Sequence, residues 1–467
     1  MQGGSRFSLR HFRLLALATI AASAACEKGP FLDDEMTRLR DFTLTAAPPA
    51  DTSNAFASDL KAAQLGKLLF FDGRYSGALQ APYNAGWMVN GALGAAGASG
   101  AVSCSACHDP AGGGADTRSR PVATSLGSAY TGRNAPTVIN AAYSPHWQFW
   151  DGRADSLWSQ ALGPPEGGAE CNSNRLKVVH FLHDHDGYRT KYEEVFGVGS
   201  LDDVPSFPAE GMPGKTPGCQ SGDATEPAGD AYDCIQDDAV YAKINTIYAN
   251  FGKAIGAYER LLVSTAFKPS PFDDFMAGNS EAMSPAAIRG ARLFVGRAGC
   301  AECHTGHMFT DFDFHNIGAP QAGEYARPVD DGRYGGLGAL ATNMFNRTGD
   351  FSDDKTDTAY LQELMGDAPV SLKGKFKTPS LRNVAKTAPY MHDGVYGSLW
   401  DVVNHYNFGG VTGNYEGERD PAIAPLLLTD AELGDLVEFL RALDDGPSLP
   451  NADFPEGLDA PPPSLPP

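Results

Sequence analysis

Two short segments of this chain carry residues whose order suits redox chemistry: Cys104-Ser-Ala-Cys107-His108 and Cys300-Ala-Glu-Cys303-His304. Two thiols three residues apart can reach the two vinyl groups of one porphyrin, and the adjacent imidazole then ligates the iron from below. Zinc sites and dithiol redox centres use the same cysteine spacing. Those alternatives leave the register of both histidines without a purpose. The pentads therefore predict two covalently attached haem c groups, with His108 and His304 as iron ligands.

Four cysteines stand outside the pentads. Cys26 ends an N-terminal stretch that reads as an export signal over 1–26. Arg6, Arg10 and Arg13 are its basic start, Leu14 to Ala22 its apolar run, and Ala22-Ser23-Ala24 its cleavage site. The cysteine also suits a lipoprotein signal, although Ser23 stands where that motif prefers Leu. A periplasmic protein is expected, released or tied to the membrane by a lipid on Cys26. The remaining three are Cys171, Cys219 and Cys234, and an oxidising compartment favours one disulfide among them. Cys219–Cys234 is preferred because both lie in one Gly/Pro/Asp-rich insert; the pairing stays open. The net charge of -21 over 467 residues disfavours nucleic acid as a partner. It suits a basic protein partner, or simply solubility.

The elements that must carry the pentads are mainly helical. Leu60, Leu65, Leu68 and Leu69 predict a short amphipathic helix within 52–75, followed by a Gly/Ala-rich loop over 85–101 that leads into the first pentad. Val240, Ile244, Ile247, Phe251, Ile255, Tyr258 and Leu262 recur every three or four residues, the apolar face of a long helix. Ser284-Pro285 supplies an N-cap and first-turn proline for a helix leading to the second pentad. Thr429-x-x-Glu432 is a capping box before Leu433, Leu436, Val437 and Leu440. This divides the chain into an N-terminal haem domain, 52–267, with a polar insert at 198–236. A linker over 268–283 follows, then a C-terminal haem domain, 284–445, and a disordered proline-rich tail, 446–467.

Further segments carry a resemblance. Asn134-Ala-Pro-Thr137, Gln148-Phe-Trp150-Asp-Gly-Arg153, Lys377-Thr-Pro-Ser-Leu-Arg-Asn383 and Ala388-Pro-Tyr-Met-His392-Asp-Gly394 accompany two pentads 196 residues apart. With them the chain resembles the bacterial di-haem cytochrome c peroxidase family, including its MauG branch, from about Leu60 to Leu443. The resemblance implies two cytochrome c-like domains facing each other across a calcium ion. Hydrogen peroxide would be activated at the N-terminal haem, while the C-terminal haem relays or stores oxidising equivalents.

Residue by residue, the resemblance implies the following roles. No histidine lies between His108 and Asn134, and the next, His146, falls beyond the segment, so the first haem is expected five-coordinate and open. The catalytic acid/base maps to Glu170, twenty residues after Trp150, with Gln160 and Pro164 in register; Glu166 is the fallback. Trp150 is expected between the haems. The sixth ligand of the second haem maps to Tyr406, a MauG-branch feature, with His405 and Met391 as rivals. Calcium ligands map to Asn134 and the carbonyls of Thr387 and Pro389. The surface tryptophan through which the MauG enzyme oxidises a bound protein is replaced by Ala298, so tryptophan cross-linking of a partner does not carry over. The leading expectation is a peroxidase that draws electrons from a small cytochrome c, a cupredoxin or an organic reductant. A MauG-like oxidase using a high-valent haem pair and a non-enzymatic di-haem electron carrier are the alternatives.

Overall fold

The computed structural model describes residues 30–44, 47–80, 93–116, 118, 123–209, 235, 237–264, 269–323, 325–364 and 368–445. The expected export signal, Cys26, Cys219, Cys234, most of the polar insert and the proline-rich tail lie outside them. The described residues are mainly helical, with a single two-stranded antiparallel sheet pairing Phe314–His315 with Phe376–Lys377. No helix among them is long and apolar enough to cross a membrane.

The buried apolar residues fall into two large clusters. The first is built on the helix Asp238–Glu259, whose N-terminus Asp237 caps by accepting from the N–H groups of Ala239 and Val240. The helix Leu60–Phe71, capped in the same way by Asp59, lies along it. Their backbones meet at Gly66, where a Cβ would run into the Ala254 carbonyl. The short helix Leu157–Ala161 crosses the long one at Gly252, again too close for a side chain. Trp158, Tyr75, Tyr188, Tyr192, Tyr248, Phe70 and Phe251 fill the space between. Cys104 packs at the edge of this cluster.

The second cluster joins the helices Pro285–Val295 and Asp430–Arg441. Ser284 caps the first, and Thr429 with Glu432 forms the predicted capping box on the second. Gly290 is the contact point, since a Cβ there would meet the Asp435 carbonyl. Phe272, Phe294, Phe309 and Phe439 stack edge to face in the middle. Leu399 and Val403 of the helix Leu399–Asn407 belong to the same cluster, and Cys300 packs against it.

Two differences from the sequence reading concern connections. The stretch expected as a linker, 268–283, contains the helix Pro271–Met276, capped by Ser270, and buries Phe272 and Phe275 in the second cluster. Two phenylalanines three apart outweigh the two prolines, one of which is simply the first helical residue. Two segments also pack in the cluster built mainly by the other half of the chain. The helix Asp33–Arg40 packs on the second cluster through Phe31, Leu39 and Phe42, and Arg38 donates to the Val295 carbonyl at 2.7 Å. Phe345, from the C-terminal half, is buried in the first cluster.

Candidate active site

The first pentad forms the one-turn helix Cys104–Cys107. Both thiols are unpaired, and Tyr75 Oη lies 3.5 Å from Cys104 Sγ. Burial pushes the Cys104 thiol up to about 12 and lowers the His108 imidazole, so the histidine is held neutral, as iron ligation demands. His108 Nδ1 is buried with no closed hydrogen bond, although the backbone of Gly114 and Pro136 polarises it. In the second pentad His304 Nδ1 sits 2.9 Å from the Phe309 carbonyl. That contact fixes the tautomer and leaves Nε2 free to ligate a metal. Reduced thiol pairs and neutral, buried imidazoles fit covalent haem at both places.

Glu170 is carried by a tightly anchored loop. Its carbonyl accepts from Ser128 N–H at 2.7 Å, the Ala169 carbonyl accepts from Ala129 N–H at 3.0 Å, and the Pro164 carbonyl accepts from Cys171 N–H at 3.1 Å. Gly127 permits this approach, because a Cβ there would lie 2.6 Å from the Ala169 carbonyl oxygen. The carboxylate folds over Gly167 and makes no hydrogen bond among the described residues. Burial raises its proton affinity, partly offset by the charges of Arg153 and Arg327. Its own charge in turn raises Cys104 and Cys107, which puts it on the side of the first pentad.

The neighbouring Glu166 is differently placed. Arg175 grips its carboxylate with two bonds of 2.7 and 2.9 Å, leaving it little freedom to exchange protons. Gln160 is half-buried on Leu157–Ala161, and Pro164 belongs to the single turn Gly163–Glu166. His146 stacks on Tyr360, with ring centroids 4.2 Å apart.

Trp150 sits where the two halves meet. Its indole N–H donates to the Asn134 carbonyl at 2.8 Å, and its own carbonyl accepts from Lys377 N–H at 2.8 Å. Beside it Arg133 is buried between Asp151 and Asp330, reaching the latter with bonds of 2.7 and 2.6 Å. Asn134 is buried too. Its backbone N–H donates to the His392 carbonyl and its side-chain amide to the Pro389 carbonyl, each at 2.7 Å, while Ser125 Oγ donates to its Oδ1 at 3.1 Å. Thr387 lies two residues before Pro389, its hydroxyl turned to the Val384 carbonyl at 3.0 Å. The structure therefore brings Asn134 and Pro389 together, with an N–H rather than a bare oxygen facing the carbonyl. A cation would need the amide turned to present Oδ1.

At the second pentad, Tyr406 on Leu399–Asn407 is pushed up first by burial and then by the charges of Cys300 and Cys303, which puts it in the neighbourhood of the attachment cysteines. His405 points elsewhere. Its Nδ1 lies 3.0 Å from Tyr396 Oη and its Nε2 3.0 Å from the Ile317 carbonyl, which occupies both nitrogens. Met391 has a positive φ of 71° in the turn before His392. Ala298 is buried.

Two groups here stand outside every motif of the sequence. Arg327 beside Glu170 belongs to no motif and gave no signal. His315, 3.0 Å from Asp311 and 2.8 Å from Asp420, hydrogen-bonds toward Cys303, and those partners push it up to about 11. Its i,i+4 spacing from Asp311 was the only hint.

Comparison with known proteins agrees with this geometry. The family described as di-haem cytochrome c peroxidase matches residues 60–212. The chain is 31% identical to cytochrome-c peroxidase IdrP1 of Denitromonas iodatirespirans, covering 95% of this chain and 97% of the relative. It is 30% identical to methylamine utilization protein MauG of Methylorubrum extorquens, covering 82% and 78%. Among solved structures, the diheme peroxidase BthA from Burkholderia thailandensis is similar with a TM-score of 0.58 at 23% identity, covering 90% of this chain and 94% of that one. A MauG-like protein associated with microbial copper homeostasis gives 0.56 at 23%, covering 90% and 97%. The two structures speak for the fold alone.

Proposed function

This chain belongs to the di-haem cytochrome c peroxidase family, and from that premise we propose that it reduces hydrogen peroxide at its first haem with electrons relayed through its second. The supporting observation is the Glu170 carboxylate, anchored by its backbone, without a hydrogen-bond partner among the described residues and near enough to the first pentad for its charge to raise both thiols. The haem supplies an iron that binds and cleaves peroxide when its sixth position is open. With haem bound, Glu170 would accept a proton from one peroxide oxygen and return it to the departing one, a transfer suited to a carboxyl with raised proton affinity. Arg153 and Arg327 limit that rise and keep the group able to give the proton up again. Trp150, bonded to both halves, is the bridge for electrons, and Gln160 and Pro164 shape the Glu170 loop.

In this reading two cytochrome c-like domains, roughly 52–267 and 284–445, carry the haems in the periplasm. The donor is a small cytochrome c, a cupredoxin or an organic reductant. A calcium ion bound by Asn134 Oδ1 and the carbonyls of Thr387 and Pro389 would tie the halves together. Calcium titration of chelator-treated protein should then raise Tm, and should fail to do so in Asn134→Ala.

Tyr406 favours a second reading. A phenol at the second haem suits iron(III) and higher states, so the pair would store oxidising equivalents for a protein or small-molecule substrate, as a MauG-like oxidase. The electron paramagnetic resonance spectrum of the resting ferric protein tests the common core of both. One high-spin and one low-spin iron is expected. Two low-spin irons would mean a closed first site and would overturn the open-haem reading, leaving either an electron carrier or a peroxidase that needs reductive activation.

A further inference from the structure

One aromatic group outside the haem sites is arranged to be oxidised. Tyr360 is half-buried, stacked on His146 and edge-on to Trp147 at 5.2 Å. Its hydroxyl donates to Asp155 Oδ2 at 3.2 Å. Asp155 is almost fully buried, and its second oxygen, Oδ1, has no partner among the described residues. A buried carboxylate with a vacant oxygen is a proton acceptor in waiting. Burial pushes Asp155 up to about 6, against the opposing pull of the Arg347 N–H and charge.

The group is continuous with the seam between the halves. Trp147 is three residues from Trp150 and packs on Phe314 at 5.9 Å. Phe314 pairs with Lys377, whose N–H is bonded to the Trp150 carbonyl. The Arg333 guanidinium lies 4.0 Å from the centre of the Trp147 ring and 4.3 Å from that of Phe314. A cation over a ring disfavours a positive hole there. Tyr360 has no such cation over it among the described residues, and it can shed charge by giving up a proton.

We propose that Tyr360 is a site of substrate oxidation, at which a phenol-type aromatic donor meets the oxidising power of the haem pair. Tyr360 gives one electron to the peroxide-oxidised haem pair and its phenolic proton to Asp155, and becomes a neutral tyrosyl radical. The donor phenol then returns one hydrogen atom, restoring Tyr360 and leaving as a phenoxyl radical, while Asp155 releases its proton to solvent. This rests on the peroxide-driven reading above.

The holoprotein is mixed with one equivalent of hydrogen peroxide, freeze-quenched, and examined by electron paramagnetic resonance alongside the optical spectrum of the haems. A radical whose hyperfine pattern narrows with ring-deuterated tyrosine, and which is lost in Tyr360→Phe, is expected. Asp155→Asn, which removes the proton acceptor, should diminish the same signal while the haem spectrum still responds to peroxide. Adding hydroquinone should quench the radical faster than it decays alone. A signal unchanged in Tyr360→Phe, or haem oxidation without any tyrosyl radical, overturns the proposal and leaves the peroxidase reading standing. Haems that do not respond to peroxide at all sink that reading, and the proposal with it.

Discussion

At the scale of single residues, the decisive contrast is between two glutamates four positions apart. Glu166 ends the turn Gly163–Glu166 and Glu170 follows it in the next loop, yet one is clamped by Arg175 and the other, near the first pentad, makes no hydrogen bond among the described residues. Their difference is environmental, since both carboxyls are raised by burial. Glu170→Gln keeps the shape and removes the exchangeable proton. Turnover of peroxide should fall by about 10²–10⁴-fold, with the haem absorption spectrum retained, in a steady-state assay. Glu166→Gln should instead cost stability, because Arg175 would be left buried without its counter-charge. Tyr406→Met tests whether Tyr406 ligates the second haem, since it would replace a phenol with a thioether there. The potential of that haem should rise, within the ~0.8 V that axial ligands span, as read by spectroelectrochemistry. An unchanged potential would remove Tyr406 as a ligand.

Elements are placed by glycine at their crossings. At Gly66 and Gly290 two helices touch backbone to backbone, whereas a methyl group added at Gly434 on Asp430–Arg441 would meet nothing within 4 Å. Gly66→Ala should therefore destabilise by about 1–3 kcal/mol through overpacking. Gly434→Ala should stabilise by about 0.5–1 kcal/mol, since an open helical site gains only the lower backbone entropy of alanine. Thermal melts of the two variants would check both signs. The helices were legible in advance from apolar periodicity at 240–262, where the helix in fact ends at Glu259, and from the capping box before 433–440. Arg333–Thr342 was not, because four of its ten residues are glycine or threonine and its placement comes from Arg333 stacking on Trp147 and Phe314.

Over the whole molecule, the halves are joined by a buried charge cluster rather than by apolar surface alone. Arg133 reaches Asp330 across the seam and Asp151 on its own side. Burial would raise both carboxyls, but Arg153 and Arg133 outweigh it at Asp151, and Arg133 does so at Asp330, so both are held below the usual carboxylate range. Groups depressed in the fold contribute stability above their unfolded value of about 3.9, and lose it as pH falls through the folded values. Arg133→Met should cost about 3–5 kcal/mol at pH 7 by leaving two buried carboxylates short of a partner. The deficit should shrink below about pH 4, where protonation removes the need for one. Denaturant melts at the two pH values would show it; a deficit constant with pH would assign the loss to packing instead.

Local chemistry was readable along the chain, because covalent haem attachment, helix caps and apolar periodicity all act over short stretches of neighbouring residues. The two pentads, the long helix and the closing capping box could be located from residue types and spacing alone. What brings Trp150 to both Asn134 and Lys377, sets Tyr360 against Asp155, and clamps Glu166 but not Glu170 to Arg175 is contact between residues up to more than two hundred positions apart. No spacing rule reaches that far. Those pairings follow from how the two apolar clusters bury their faces, and the seating of 31–42 in the second cluster and of Phe345 in the first was settled only in three dimensions.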